Sequence, residues 1–287
     1  MLAPSDLPLP IVLAPLAGGP STPALAAAVS DAGGLGFVAG GYRSPEALAA
    51  DVAATREQTG RPFGVNVFAP SGTAADPAAL TSHVAVIARE AEALGVAVGT
   101  PRFDDDHFEA KLERLHADPV AVVSFTFGCP EAAVVDALHA VGSAVWVTVT
   151  RPDEARLAAA AGADALVVQG SEAGGHRGTF ADALDVEEIG LLALLQLASA
   201  AVDLPLVAAG GIMGGAGIAA ALAAGATAAQ LGTAFLRCPE AGTWAGHCDA
   251  LRERPGAGTA LTRAFTGRAA RGIRNRFLRE HSAGAPV

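Results

Sequence analysis

Lysine is almost missing from this sequence: Lys111 is the only one among 19 basic residues, and it falls outside the apolar runs that read as strands. That argues against a Schiff-base mechanism, which needs a lysine amine at the reacting centre. The three cysteines, Cys129, Cys238 and Cys248, form no CxxC and no ligand pattern with histidine. An odd set of thiols without a framework predicts a reducing, cytoplasmic setting. Cys129, in Phe127-Gly128-Cys129-Pro130, reads as a pocket-lining or filler residue. The N-terminus lacks a basic and apolar leader, so no signal peptide is expected. The most apolar stretches are interrupted by Gly, Pro or charge and are too short to span a bilayer. No GxGxxG follows the first apolar run and no GxxxxGK[ST] occurs, which disfavours a Rossmann dinucleotide site and a P-loop. Positive charge is also short, with a net charge of −10. That argues against nucleic acid and anionic membranes as partners, although local arginines and backbone dipoles can still hold a small anion.

What the chain has is core. Of its 287 residues 51% are hydrophobic and 17% charged, enough for one large domain without disorder. Eight short, β-leaning apolar runs occur at residues 11–14, 35–38, 63–67, 120–125, 144–149, 165–169, 205–209 and 228–232. Ala-rich segments with helical spacing separate most of them, for example residues 23–32, 45–59, 130–140, 152–161 and 216–224. Proline recurs at the starts of these segments, where a first helical turn tolerates it. Strands alternating with helices mean parallel βαβ units. Eight units predict an α/β fold, a TIM (β/α)8 barrel, with an open doubly wound sheet as the alternative. Residues 70–119 should hold more than one helix. Residues 1–236 are expected to form the barrel, and 237–287 a short C-terminal appendage packed on it.

The densest polar cluster is Gln169-Gly170-Ser171-Glu172-Ala173-Gly174-Gly175-His176-Arg177-Gly178, directly after an apolar run. In an α/β barrel, loops after strands form the active-site face. Asn66 sits inside the third run, where an unsatisfied amide would be costly and either a local backbone partner or a ligand would remove the cost. Gly210 and Gly211 follow the seventh run and lead into a helix, and Gln230-Leu231-Gly232-Thr233 ends the eighth. Loops at these two places often hold a phosphate in such barrels. A phosphate site across the mouth from amide side chains suits FMN, with Ala14, Pro15, Leu16 and Ala17 as flat apolar walls for its ring. His176 would lie near the exposed ring edge, where imidazole can take a proton from carbon and imidazolium can hold an anion. Glu172 and Arg177 either join that chemistry or only brace the loop.

QGSEAGGHRG at 169–178, LAPLAGGPS at 13–21, GVNVF at 64–68, AAGGI at 208–212, QLGTAFL at 230–236 and TRAFTGRAARGIRN at 262–275 together resemble the nitronate monooxygenase family, formerly called 2-nitropropane dioxygenases. The resemblance implies an FMN-containing TIM barrel with an added smaller region. It implies oxidation of alkyl nitronates, and sometimes nitroalkanes, by O2 to a carbonyl compound and nitrite. It marks His176 as catalytic and Asn66, Gln169, Gly174, Gly211, Gln230, Leu231, Gly232 and Thr233 as FMN contacts. A homodimer is compatible with it. Two departures stand out. Typical relatives continue past the stretch matching Arg274-Asn275, and Tyr42 is the only tyrosine, so a Tyr-lined substrate pocket is not expected. An FMN-dependent NAD(P)H reductase of the enoyl or quinone type shares the EAGGH element and is the alternative; Gln169 and Arg177 favour the nitronate reading. An isomerase or synthase acting on a phosphorylated metabolite is a further rival.

Overall fold

Three helix starts in this chain are set by a hydroxyl or carboxylate cap followed by proline. Thr22 Oγ1 accepts from Leu25 N at 3.0 Å ahead of helix α1 (Pro23–Asp31). Ser44 does the same for Ala47 N ahead of α2 (Pro45–Gln58), and Asp76 accepts from Ala78 N and Ala79 N ahead of α3 (Pro77–Leu94). Each cap satisfies amides that the first turn leaves without a partner, and proline loses nothing at that position. The remaining helices are α4 (Phe108–Ala117), α5 (Ala132–Ala140), α6 (Pro152–Ala160), α7 (Leu191–Ala201), α8 (Gly215–Ala223), α9 (Ala245–Glu253) and α10 (Arg276–His281). The computed structural model describes residues 1–70, 76–181, 188–253 and 258–282.

The strands are β1 (Ile11–Leu13), β2 (Gly36–Ala39), β3 (Phe63–Phe68), β4 (Val122–Thr126), β5 (Ala144–Val149), β6 (Ala165–Gln169), β7 (Gly175–His176), β8 (Leu206–Ala209), β9 (Ala228–Leu231), β10 (Thr259–Thr262) and β11 (Ala270–Ile273). Eight of them form one parallel sheet in the order β1-β9-β8-β6-β5-β4-β3-β2. Leu13 N donates to Leu35 O at 2.9 Å and Leu35 N to Ile11 O at 3.0 Å, so the two ends of the sheet meet. The result is the expected TIM barrel, with both helices anticipated between β3 and β4. An open sheet would leave β1 and β2 as edges.

Alternation along each strand sorts the residues into two layers. Phe37, Val122, Trp146, Val167 and Val207 form one buried cluster inside the barrel. Their strand neighbours, among them Val38, Val65, Val123, Val147, Leu166 and Val168, pack under the helices. The same period places Asn66, Ser124, Thr126, Thr148, Gln169 and Gln230 on the inner face at the carboxyl ends of their strands. Phe37 and Trp146 fill the axis, with ring centroids 6.0 Å apart. Gly64 makes room for them, since a Cβ there would lie 2.4 Å from Phe37 Cε1.

The tail returns to the mouth. β10 and β11 form an antiparallel hairpin, and β11 pairs antiparallel with β7, with Ala270 opposite His176 and Arg271 opposite Gly175. Helix α10 buries Leu278 and is clasped to α3 through Glu90, which accepts from Arg276 at 2.9 Å and His281 at 2.8 Å. No helix among the described residues is long and apolar enough to cross a membrane.

Two outcomes follow from this packing. Gly64→Ala should destabilise the barrel by about 1–3 kcal/mol through overpacking, and Phe37→Leu in the same chain should recover part of that loss in thermal melts. The Arg276 and His281 hydrogen bonds hold the Glu90 carboxyl down at about 2, against an ordinary value of 4.5. A depressed folded-state value means the clasp contributes fully above pH 4.5 and is lost as pH falls from there to about 2. Amide exchange across residues 276–282, corrected for intrinsic rate, should rise over that window. Glu90→Gln should show the rise already at pH 6.

Candidate active site

Amide side chains ring the mouth, and they differ in what the protein leaves them to do. Asn66 is buried, and its Nδ2 donates to Ser124 O at 3.1 Å, Ser124 Oγ at 3.0 Å and Thr126 Oγ1 at 3.0 Å. A carbonyl only accepts, which fixes the orientation of this amide. Asn66 Oδ1 then has no hydrogen-bond partner among the described residues. One end of the amide therefore serves backbone and neighbours, while the other has no protein partner among the described residues.

Gln169 is more committed. Its Nε2 donates to His176 O at 3.0 Å and its Oε1 accepts from Gly178 N at 2.8 Å. The side chain folds the following loop back over its own strand end. Gly178 must be glycine for this approach, because a Cβ would lie 2.7 Å from Thr148 Cγ2. Gln230, opposite Ala209 and Val12 in the sheet, makes no side-chain hydrogen bond among the described residues. Leu231 buries its side chain in the strand–helix core, and its carbonyl accepts from Ala14 N at 2.9 Å, so its backbone is what reaches the mouth.

The glycine turns bring the loops together. Gly210 and Gly211 have φ of +114° and +69°, a region that side chains avoid. A Cβ at Gly210 would lie 3.0 Å from Ala173 N, and one at Gly211 3.0 Å from Glu172 Cβ. A Cβ at Gly174 would lie 3.0 Å from Thr233 Oγ1, and one at Gly232 3.5 Å from Ala14 Cβ and Leu16 Cδ2. Loops after β1, β6, β8 and β9 therefore converge on one rim. Leu16 and Ala17 line a cavity of about 260 Å³ that runs to Tyr42, and Ala14 and Pro15 are half-buried just ahead of them in the chain.

His176 sits on this rim within β7. Its Nε2 is 2.8 Å from Thr266 Oγ1, a tail residue, and its ring meets Phe127 edge-on at 5.9 Å. Glu172 and Arg177 turn out to be braces. Both Glu172 oxygens accept from Leu191 N at the start of α7, at 3.1 and 3.0 Å. Arg177 is 1% exposed and donates to Gln169 O at 3.2 Å and Gly170 O at 2.7 Å, while its own N–H donates to Ala269 O at 2.8 Å. Burial pulls its guanidinium pKa down, partly offset by Glu154. Glu154, which the sequence did not single out, is buried and accepts from Thr150 N, Thr179 Oγ1 and Phe180 N, holding the far end of the same loop. Cys129 is filler: its Sγ donates to Pro130 O at 3.4 Å, and burial pushes the thiol up.

A cavity of about 420 Å³ beside His176 is lined by Tyr42 together with Phe68, Phe127 and Arg268. Tyr42 packs edge-on against Phe68 at 5.4 Å, Phe68 against Phe127 at 4.7 Å, and the Arg268 guanidinium lies 4.4 Å over Phe127. Tyr42 and the two phenylalanines thus form one aromatic wall of this cavity. Sequence reasoning missed Thr266 and Arg268 because only the β7–β11 pairing carries the tail to the mouth.

Set beside known proteins, the whole arrangement has relatives. The nitronate monooxygenase family model matches residues 5–287. A nitronate monooxygenase of Pseudomonas aeruginosa is 45% identical over 279 residues, covering 96% of this chain and 79% of that protein. The crystal structure of a nitroalkane oxidase from Streptomyces ansochromogenes superposes with a TM-score of 0.95 at 52% identity, covering 99% of this chain and 82% of that one. FabK from Thermotoga maritima gives a TM-score of 0.74 at 29% identity, covering 96% and 74%. A family model that spans nearly the whole chain, with its motifs gathered on one rim, leaves one assignment: this chain belongs to the nitronate monooxygenase family.

Proposed function

We propose that this chain binds FMN and oxidises alkyl nitronates, and nitroalkanes, with O2 to a carbonyl compound and nitrite, using His176 at the rim. The observation that carries the reading is the position of His176. It is held on a tail-paired strand between an aromatic-walled cavity and a rim of amides and glycines. Membership of the family implies a flavin, and the residues present fit one. Asn66 Oδ1 and the Gln230 amide lack protein partners among the described residues and suit the polar edge of a flavin ring. Gly174, Gly210, Gly211, Gly232 and Thr233 offer close backbone approach and a hydroxyl to its phosphate, with α8 starting just beyond. Leu16 and Ala17 offer an apolar wall to the ring.

The flavin, when bound, takes electrons from the substrate and passes them to O2. The protein's part is to hold the substrate and move one proton. Thr266 Oγ1 can accept from a protonated His176 Nε2 or donate to a bare one, so this contact survives a change in ring protonation. The neutral ring can therefore take the α-proton of a nitroalkane, and the imidazolium can pair with a nitronate anion. The aromatic wall keeps water from one side of that ion pair and strengthens it. The likeness to the nitroalkane oxidase, against the weaker one to FabK, supports oxidation over a nicotinamide-driven reduction.

Anaerobic mixing tests the assignment directly. An alkyl nitronate should bleach the bound flavin quickly, while NADH and NADPH should act slowly or not at all; rapid bleaching by a nucleotide alone would move the chain to a reductase. His176→Asn should keep the flavin yet lose about 10²–10⁴-fold in turnover of neutral nitroalkanes, the usual worth of a positioned general base. Unchanged turnover would remove His176 from the chemistry. Thr233→Val should weaken FMN binding about tenfold to a hundredfold, the worth of a hydrogen bond to a charged group, with the melting point of the flavin-free protein unchanged. It is a cleaner probe than a change at Gly211, whose left-handed backbone strains under any side chain.

A further inference from the structure

The one lysine of the chain is fully buried. Lys111, on α4, has no exposed surface, and its Nζ lies 2.7 Å from Asp106 Oδ2. An ammonium is rarely placed in a core, because leaving water costs more than an apolar side chain of the same length would. A buried pair of this kind contributes geometry more than stability, and the geometry here is specific. The second oxygen, Asp106 Oδ1, accepts from Tyr42 N at 2.8 Å. Asp106 thus joins the buried ammonium on one side to the backbone of the cavity wall on the other.

The backbone at both ends of this link is strained. Tyr42, Asp106, His107 and Phe127 have φ of +63°, +58°, +54° and +75°, and these are the non-glycine residues with left-handed backbone among the described residues. All of them line the 420 Å³ cavity beside His176. Side chains keep such a conformation only where surrounding contacts over-determine it. Asp106 is held by its ion pair with Lys111 and by its own N–H, which donates to Asp104 Oδ1 at 2.9 Å, and Tyr42 is held through its N–H on Asp106 Oδ1. From Tyr42 the edge-on ring contacts run through Phe68 and Phe127 to His176.

We propose that Lys111 is a positioning residue: through Asp106 it holds Tyr42 against Phe68 and so sets the shape of the aromatic part of a cavity whose lining is otherwise largely charged, and that this aromatic part takes the apolar, aryl or alkyl, side chain of the substrate. The link itself stands on the geometry above, and the substrate half rests on the nitronate reading. A compartment with a fixed wall discriminates between side chains; one with a loose wall loses contact with large side chains first.

Tyr42 is the only tyrosine, so flavin-loaded protein labelled with 3-fluorotyrosine has one fluorine resonance, and it reports the wall. Lys111→Met and Asp106→Asn should both shift that resonance. Leu195→Ala, a core truncation on helix α7, which packs on α6, β6 and β8 and not on α4, serves as a destabilised control and should not. Asp106→Asn keeps the size and the Oδ1 acceptor, and covers the case in which Lys111→Met fails to fold. In steady-state assays kcat/KM for a phenylalkyl nitronate should fall about tenfold more than for ethyl nitronate in both variants, since small misplacements of a binding wall act on the groups that touch it. A resonance unmoved in both variants overturns the proposal, as does an equal loss on the two nitronates. If the wild-type protein oxidises neither nitronate, the functional reading falls, and the resonance alone still decides whether Lys111 positions the wall.

Discussion

A two-residue strand pairing carries the rim. Gly175 and His176 bond to Arg271 and Ala270, about a hundred residues on, and without that pairing neither Thr266 nor Arg268 would stand beside the histidine. So short a strand has little stability of its own. It is therefore fastened from every side: the Gln169 amide takes the carbonyl of His176 and the N–H of Gly178, Arg177 N reaches Ala269 O, and Arg271 Nε donates to Ser171 O at 2.9 Å. The position of His176 is thus an outcome of tail docking as much as of the barrel, which supplies Gln169 and Phe127 to it.

Three buried charges brace the mouth, Glu154 and Arg177 at this loop and Lys111 at the Tyr42 side. Glu154 is satisfied by donors from two segments and costs little to bury. Lys111 has its carboxylate partner. Arg177 is the costly one, held by the carbonyls of Gln169 and Gly170 with no salt bridge among the described residues. Gly170 O also accepts from Ala173 N at 3.1 Å, while Gln169 O at the strand end gains its donor from the guanidinium, which so relieves one burial cost while incurring another. That exchange explains why an arginine follows the histidine directly, and why it need not touch the substrate.

Much of the frame was legible beforehand because it rests on local physics. Proline after Thr22, Ser44 and Asp76 marks helix starts whatever the tertiary context, and runs such as Ala144–Val149, buried on both faces, can be little else than parallel strands. Strand ends slipped by a residue or two: the first stops at Leu13, and the fourth begins at Val122 and runs on to Thr126. The rim residues were legible as a set, since Gln169, His176, Gly210, Gly211, Gln230 and Thr233 all lie at or beyond the carboxyl ends of barrel strands. Their division of labour was not. Whether Gln169 faces a ligand or its own loop depends on where Gly178 returns, and that depends on the absent Cβ beside Thr148. Left-handed backbone at Tyr42 and Phe127 has no signature in residue type, so a wall built on it could not be anticipated from a count of aromatics.

The unequal commitment of the amides bears on how the site can recognise a flat polar ligand. Gln169 has both ends engaged by protein, which leaves one N–H at most. Asn66 has its amine engaged and its oxygen open, and Gln230 is open at both ends. Asn66 and Gln230 lie on strands β3 and β9, which flank β1 and β2 in the closed barrel. The groups left for a ligand therefore frame the apolar loop after β1 and leave the β6 side to the histidine. That division sets open hydrogen-bonding groups beside an apolar loop on one side of the mouth and an imidazole on the other. A mouth with every amide satisfied would have been more stable and would have had nothing left to bind.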